Sequence, residues 1–326
     1  MRTLRRGLIS LFTVGSICGS ALFATSALAQ AYPSRPIRII VPYAAGGLSD
    51  ISARMLGKEI AAAWGQPVVV ENKPGANAMI GTDMVAKSPP DGYTLLLATN
   101  AHVINPYLYK SLPFDSVKDI APVSMMAIAP LVVLVHPSVK AKSFAELVAL
   151  AKTQPVTHAT SGTGSPAHLT GELLNMRAGT RFQHIPYKGA GPALSDVVAG
   201  HVAVMFNALP ASVPYIKSGQ LNAFAVGTPK RSPLMPELPT VAELGYPGFN
   251  ASTFVSIMAP GRTPPDIINK LATEIQRALA TPAFAEWVRS QGMDSVGSTP
   301  QQFAADLAAE ASQWQQVVKQ TGIQAE

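Results

Sequence analysis

Three times in this chain a short apolar segment runs into glycines and then directly into a segment with helical spacing, and no other feature constrains the fold as strongly. The first junction is Pro42-Tyr43-Ala44-Ala45-Gly46-Gly47-Leu48-Ser49-Asp50, which follows the β-branched run at 37–43. The second is Ala159-Thr160-Ser161-Gly162-Thr163-Gly164-Ser165-Pro166-Ala167-His168, and the third is Pro186-Tyr187-Lys188-Gly189-Ala190-Gly191-Pro192. A continuous apolar strand followed by a tight turn and a helix belongs to a parallel sheet covered on both faces. Each junction leaves backbone N–H groups without helical partners at a helix start, where the dipole supplies roughly half a positive charge. Glycines let that backbone approach a ligand, so each junction suits an anion. Ser161, Thr163 and Ser165 add hydroxyl donors at the second.

The rest of the chain continues the alternation. A helix is predicted from about residue 50 with Ile51, Met55, Ile60 and Ala63 toward the sheet, then strands at 68–70 and 94–98 around a helix at 80–87. The apolar stretch 123–135 is broken by Pro130 and is long for one ordinary strand. Ser143-Phe144-Ala145-Glu146 reads as a capping box. Further strands are predicted at 156–160, 182–187, 202–206, 223–227 and 252–259, and Met125, Met126, Met205 and Met258 read as strand core. Three closing helices each have proline near the start (Pro264-Pro265, Pro282 and Pro300), and Gly322 ends the last. The expected fold is α/β with mostly parallel sheets in two lobes. One lobe takes 30–128 and 253–326, the other 129–252, and two long strands near 123–135 and 252–259 form a hinge about which lobes can close.

Charge and composition narrow the partner. The formal charge of +6 suggests nucleic acid, but Arg2, Arg5 and Arg6 precede an apolar run at 7–23 and the small-residue site Ala27-Leu28-Ala29. That order is a secretory signal peptide, here residues 1–29, with cleavage expected after Ala29. Its removal lowers the charge to +3 and takes away Cys18, the one cysteine. Serines and glycines interrupt the apolar run, which is short for a membrane span, and bulky Ile17 before Cys18 argues against a lipoprotein. A cysteine-free mature chain suits the periplasm.

Catalysis and cofactors find little support. Gly162-Thr163-Gly164-Ser165-Pro166-Ala167 matches the dinucleotide fingerprint, yet 182–188 supplies no acid for a ribose. No G-x-S-x-G elbow is present, and the six histidines show no metal-ligand spacing. His168 either faces a ligand or packs beside the 161–165 turn, and Asp50 either caps a helix or touches a ligand. Asn207 is expected at the carboxyl end of the 202–206 strand, where open sheets place ligands. An amide there, with Ala203 nearby, cannot pair with an ammonium group, so acids without an amino group are favoured. A turn-capping role before Pro210 is the alternative.

Several longer segments carry a resemblance: IRIIVPYAAGGLSD (37–50), VVVENKPGA (68–76), DGYTLLL (91–97), YKSLPFDSVKDIAPVS (109–124), TSGTGSPAHLTGE (160–172), YKGAGPAL (187–194) and PTVAE (239–243). In this order they resemble the substrate-binding receptors of tripartite tricarboxylate transporters, the Bug family of periplasmic binding proteins. The resemblance implies a monomeric two-lobed receptor that closes on a small organic acid and hands it to membrane permease subunits, without cofactor, metal, catalysis or nucleic acid. The ligand-binding set implied and read together is Tyr43, Ala44, Gly46, Gly47, Asp50, Ser161, Gly162, Thr163, Ser165, His168, Tyr187, Lys188 and Asn207. Ala45, Asn77-Ala78, Ala203 and Asn207 depart from the usual pattern of proline, glycines and aspartates. A periplasmic enzyme on the same acid, or a receptor for a sensor kinase, are the competing functions. N-terminal sequencing of the exported protein should begin at Gln30; an intact Met1 in the exported fraction contradicts the signal-peptide reading.

Overall fold

The βα units of the chain assemble in a computed structural model that describes residues 32–187 and 189–325. The signal segment and Lys188 lie outside the described residues. In chain order the elements are β1 (Ile37–Val41), α1 (Leu48–Trp64), β2 (Val68–Asn72), α2 (Met79–Ala86), β3 (Thr94–Ala98), α3 (Ala101–Leu108) and β4 (Ile120–Val135). They continue with α4 (Phe144–Thr153), β5 (Val156–Thr160), α5 (Pro166–Ala178), β6 (Phe182–Pro186), α6 (Ala190–Val198), β7 (Val204–Ala208), α7 (Leu209–Lys217) and β8 (Asn222–Val226). Last come β9 (Ser252–Pro260), α8 (Pro265–Leu279), α9 (Pro282–Ser290), β10 (Asp294–Ser295) and α10 (Pro300–Thr321). All belong to one unit, Arg35–Glu326; of the unit before it, the described residues are Tyr32, Pro33 and Ser34.

The strands form one sheet in the order β2-β1-β3-β9-β4-β7-β5-β6, with β8 and β10 also on β4. Two parallel wings, β2-β1-β3 and β7-β5-β6, are therefore joined by an antiparallel centre, β9 and β4. The registers fix how the wings face. Ala98, at the end of β3, pairs with Ser256, which pairs with Met125 of β4. Ala208, at the end of β7, pairs with Leu131 of the same strand. β7 runs opposite to β3, so the carboxyl ends of the two wings point toward each other across six positions of β4, about 20 Å.

Helix α10 spans both wings. Its Phe303 packs with Ile40, Leu96, Phe254 and Met258, and its Trp314, about three turns onward, joins Val133, Leu147 and Phe206. Asn100, fully buried, ties this helix to the centre: its Nδ2 donates to Glu310 Oε2 at 2.9 Å, and its Oδ1 accepts from the Phe254 amide at 3.1 Å.

Several elements differ from expectation. The stretch 123–135 lies within a single sixteen-residue strand, β4, that continues through Pro130. Pro130 stands at the last position paired with β9, and pairing with β7 begins at Leu131, so its missing N–H falls where the ladder changes partner. Strand β7 begins two residues later than predicted, which puts Asn207 inside it opposite Val132. On α1 the buried face is Ala53, Leu56, Gly57 and Ile60, whereas Ile51 is 40% exposed and Ala63 is exposed. Gly57 sets that phase: a Cβ there would lie 3.1 Å from Val68 Cγ1, so the helix seats on β2 through its smallest residue. The Ser143 hydroxyl accepts from the Glu146 amide, but the Glu146 carboxylate turns to the Lys142 amide; Thr299 with Gln302 at the start of α10 forms a complete capping box. Helix α3, which contains Pro106, has no counterpart in the prediction.

Gly261 closes the outer end of the β4–β9 ladder. Its amide donates to Asp119 O at 2.8 Å, and a Cβ would come within 1.9 Å of Lys118 O, a backbone atom that cannot move aside. Gly261→Ala should destabilise by roughly 2–3 kcal/mol through overpacking, seen as a melting temperature lower by about 5 °C or more. An unchanged melting temperature contradicts the packing at this corner.

Candidate functional site

Between the facing strand ends lies a cavity of about 510 Å³. Its walls come from Tyr43, Ala44, Leu48 and Ser49 at the start of α1, and Pro74, Gly75 and Asn77 before α2. Thr99 and Ala101 flank the start of α3, 161–166 that of α5, and Gly189 that of α6; Pro42 and Thr253 complete the lining. Five helix N-termini thus border one space, because a βα unit puts its turn at the carboxyl end of its strand. Among the described residues, no lining side chain carries a charge. The space is made electropositive by backbone N–H groups, hydroxyls and amides, at roughly half a charge per helix.

The supporting contacts explain how each loop holds its shape. Asp50 is buried, pairs with Arg54 at 2.9 Å and accepts from the Gly46 amide at 2.9 Å. Arg54 first, and the Gly46 amide with it, lower its pKa to about 2. Its charge is therefore spent inside the first loop. Asn72 Nδ2 donates to Tyr43 O at 3.0 Å, and the Tyr43 hydroxyl meets Thr99 Oγ1 at 2.5 Å, joining the first and third helix starts. Before α2 the backbone is left-handed at Ala76, Asn77 and Ala78, three consecutive non-glycine residues with φ of 45°, 47° and 73°. Such a conformation costs about 1–2 kcal/mol per residue. A reciprocal pair offsets it: Asn77 Nδ2 donates to Asn105 Oδ1 at 2.7 Å, and Asn105 Nδ2 donates to Asn77 O at 2.8 Å.

At the second junction Ser165 is the N-cap of α5, and its hydroxyl accepts from the His168 amide at 3.3 Å. His168 is buried behind the turn, where its Nδ1 accepts from the Gly164 amide at 3.1 Å. Its ring stacks on His184 with centroids 3.6 Å apart, and His184 Nε2 meets Thr160 Oγ1 at 2.6 Å. Burial, with the neighbouring His184, pushes His168 down to about 3; burial likewise lowers His184, and burial followed by the two other rings lowers His158 to about 3. The three imidazoles are neutral at ordinary pH.

Of the residues read from sequence, Tyr43, Ala44, Ser161, Gly162, Thr163 and Ser165 line the cavity. Gly46 and Gly47 are exposed turn residues, Gly47 being the N-cap of α1, and with Asp50 they shape the loop without lining the space. His168 lies behind the wall, and the Tyr187 hydroxyl donates to Asp196 on α6, a bond that first of all pushes its pKa up to about 12. Asn207, 5% exposed, sits within β7 and donates to Ser212 Oγ at 3.2 Å, so it is absent from the lining because the strand holds it two residues deeper than expected. Sequence reading missed Pro74, Gly75, Asn77, Thr99 and Thr253. The Lys73-Pro74-Gly75 turn signalled the first two, whereas Thr99, just past β3, and Thr253, in β9, reach the cavity through where those strands stand in the sheet. Among the described residues no cluster of His, Cys, Asp and Glu suits a metal, and no helix is long and apolar enough to cross a membrane.

Comparison with known proteins bears on this geometry. The family profile described as tripartite tricarboxylate transporter family receptor, TctC, matches residues 52–323. Protein BugT of Bordetella pertussis is 42% identical over 316 residues, 96% of this chain and 97% of that protein. Among solved structures, R. palustris Rpa4515 with adipate is 33% identical with a TM-score of 0.79, covering 89% of this chain and 98% of the other. MatC (Rpa3494) from Rhodopseudomonas palustris with bound malate is 29% identical with a TM-score of 0.75, covering 88% and 100%. The α/β architecture is that of periplasmic binding proteins, and the relatives are solute receptors rather than enzymes. The chain belongs to the tripartite tricarboxylate transporter receptor family.

Proposed function

We propose that this chain is a periplasmic receptor for a small dicarboxylate, exported with cleavage after Ala29, acting as a monomer and passing its ligand to the permease subunits of a tripartite transporter. The observation that carries the reading is the cavity itself, bordered by five helix N-termini and lined by no charged side chain among the described residues. At roughly half a charge per helix, the total suits an acid with two carboxylates. The relatives with adipate and with bound malate support the same ligand class.

Binding rests on neutral donors: Ser161, Thr163 and Ser165, the amide of Ala44, and Asn77 across the space. Hydrogen bonds to a charged group contribute about 1.5–3 kcal/mol each, so several converging donors suffice without arginine. Lys188 has a secondary role. Closure brings 129–252 against 30–128 and 253–326 by bending of β4 and β9, the two long strands that connect the wings. Preference for acids without an amino group rests on the lining, which offers no described carboxylate to an ammonium, and no longer on Asn207.

Calorimetry with adipate, malate, aspartate and glutamate tests this. Adipate or malate should bind, aspartate and glutamate should bind at least tenfold more weakly, and Ser161→Ala should weaken the favoured acid by about tenfold, as the loss of one charge-assisted bond implies. Tightest binding of an amino acid, or wild-type affinity in the Ser161 variant, contradicts the assignment.

A further inference from the structure

Behind the second junction lies a cluster outside the cavity lining. His158 on β5 and His168 on α5 are buried, and half-buried His184 on β6 lies beside both, with the His158 ring against Phe182 and Phe206. The 161–165 turn hangs from two of these rings. The Gly164 amide donates to His168 Nδ1, and the Gly162 amide donates to Thr160 Oγ1, the atom that meets His184 Nε2. Within the turn itself the Ser165 amide donates to Gly162 O at 3.2 Å, which leaves the Gly164 amide to the imidazole. Gly162 and Gly164 have φ of 131° and 74°, and both are conformations that a glycine leaves readily when untethered. Buried amides without an acceptor are rare, so the Gly164 N–H needs the imidazole.

The arrangement also fixes the tautomer. Nδ1 accepts, so the single proton of the neutral ring is on Nε2, which points toward Glu172 Oε1 3.9 Å away on the same helix. A proton on Nδ1 would set two N–H groups against each other. A second proton on the ring would also place a cation face to face with His184 at 3.6 Å. Gly171 preserves the space for this cluster, since a Cβ there would lie 2.6 Å from the His158 ring.

We propose that His168 is a positioning residue for ligand binding: its neutral imidazole anchors the Gly164 amide and so holds the 161–165 turn, with its donors, at the cavity wall. The proposal rests on the carboxylate-receptor reading for its effect on affinity, but its structural half stands apart from it. The consequence is that a side chain outside the cavity sets the affinity of the hydroxyls and amides within it.

Nuclear magnetic resonance of the labelled protein, with His168→Asn and His168→Leu, decides the matter. Asparagine Oδ1 can take the place of Nδ1 as acceptor, whereas leucine removes it. In the wild type the His168 ring should carry its proton on Nε2 at pH 7, and the Gly164 amide should be protected from exchange. His168→Leu should exchange that amide at least about tenfold faster and weaken adipate, the probe, by about tenfold, the effect of one lost buried bond. His168→Asn should restore both to within about threefold of wild type. A proton on Nδ1 at pH 7, wild-type protection in His168→Leu, or loss of protection in His168→Asn overturns the proposal; the last result decides even where the leucine variant does not fold. If the wild type binds neither adipate nor malate, the ligand reading fails, while the Gly164 exchange still judges His168.

Discussion

Strand β4 and its registers organise the site. With β9 along its first eleven residues and β7 along its last five, β4 holds two parallel wings in one sheet while reversing their direction. Parallel wings collect their turns and helix starts at carboxyl ends. Reversal across β4 makes those two collections face each other instead of lying on opposite edges. The length of the apolar run is thus functional. A strand of ordinary length, about five or six residues, would serve one wing and leave the other without a register to the first.

Once the ends face, the electrostatics follow from backbone geometry. A helix start has up to four N–H groups without helical partners, and five starts border this cavity. The charged and titratable groups nearby hold loops. Asp50 is neutralised by Arg54 and grips Gly46, and Tyr187 and Asp196 bind each other. Asn77 and Asn105 lock a strained turn, and the histidines remain neutral under the second loop. Fixed dipoles of this kind need no rearrangement when an anion arrives, unlike a mobile lysine or arginine that must surrender rotamer freedom.

Local rules made the three glycine junctions legible in the sequence, since a strand, a φ-permissive turn and a capped helix leave their marks within a dozen residues. Six cavity-lining residues were readable on that basis. What escaped depended on register and packing. Asn207 was misplaced because apolar residues continue across the start of β7, so nothing local shows where its ladder begins. The buried face of α1 was misread because Gly57 and Ala53, not the bulkier Ile51, press on the sheet. Pro130 read as a strand breaker because its position at the change of ladder partner is a tertiary fact. The histidines, scattered at 158, 168 and 184, meet only because β5, α5 and β6 are neighbours.

The central claim is that backbone dipoles and neutral donors, rather than basic side chains or shape alone, select a dianion. Calorimetric comparison of adipate with its diamide, adipamide, tests it most directly, because the two share length and shape and differ in charge. The account predicts that adipate binds at least about 100-fold more tightly, the worth of two charge-assisted hydrogen-bond sets over neutral ones. Equal affinity for the two would contradict it.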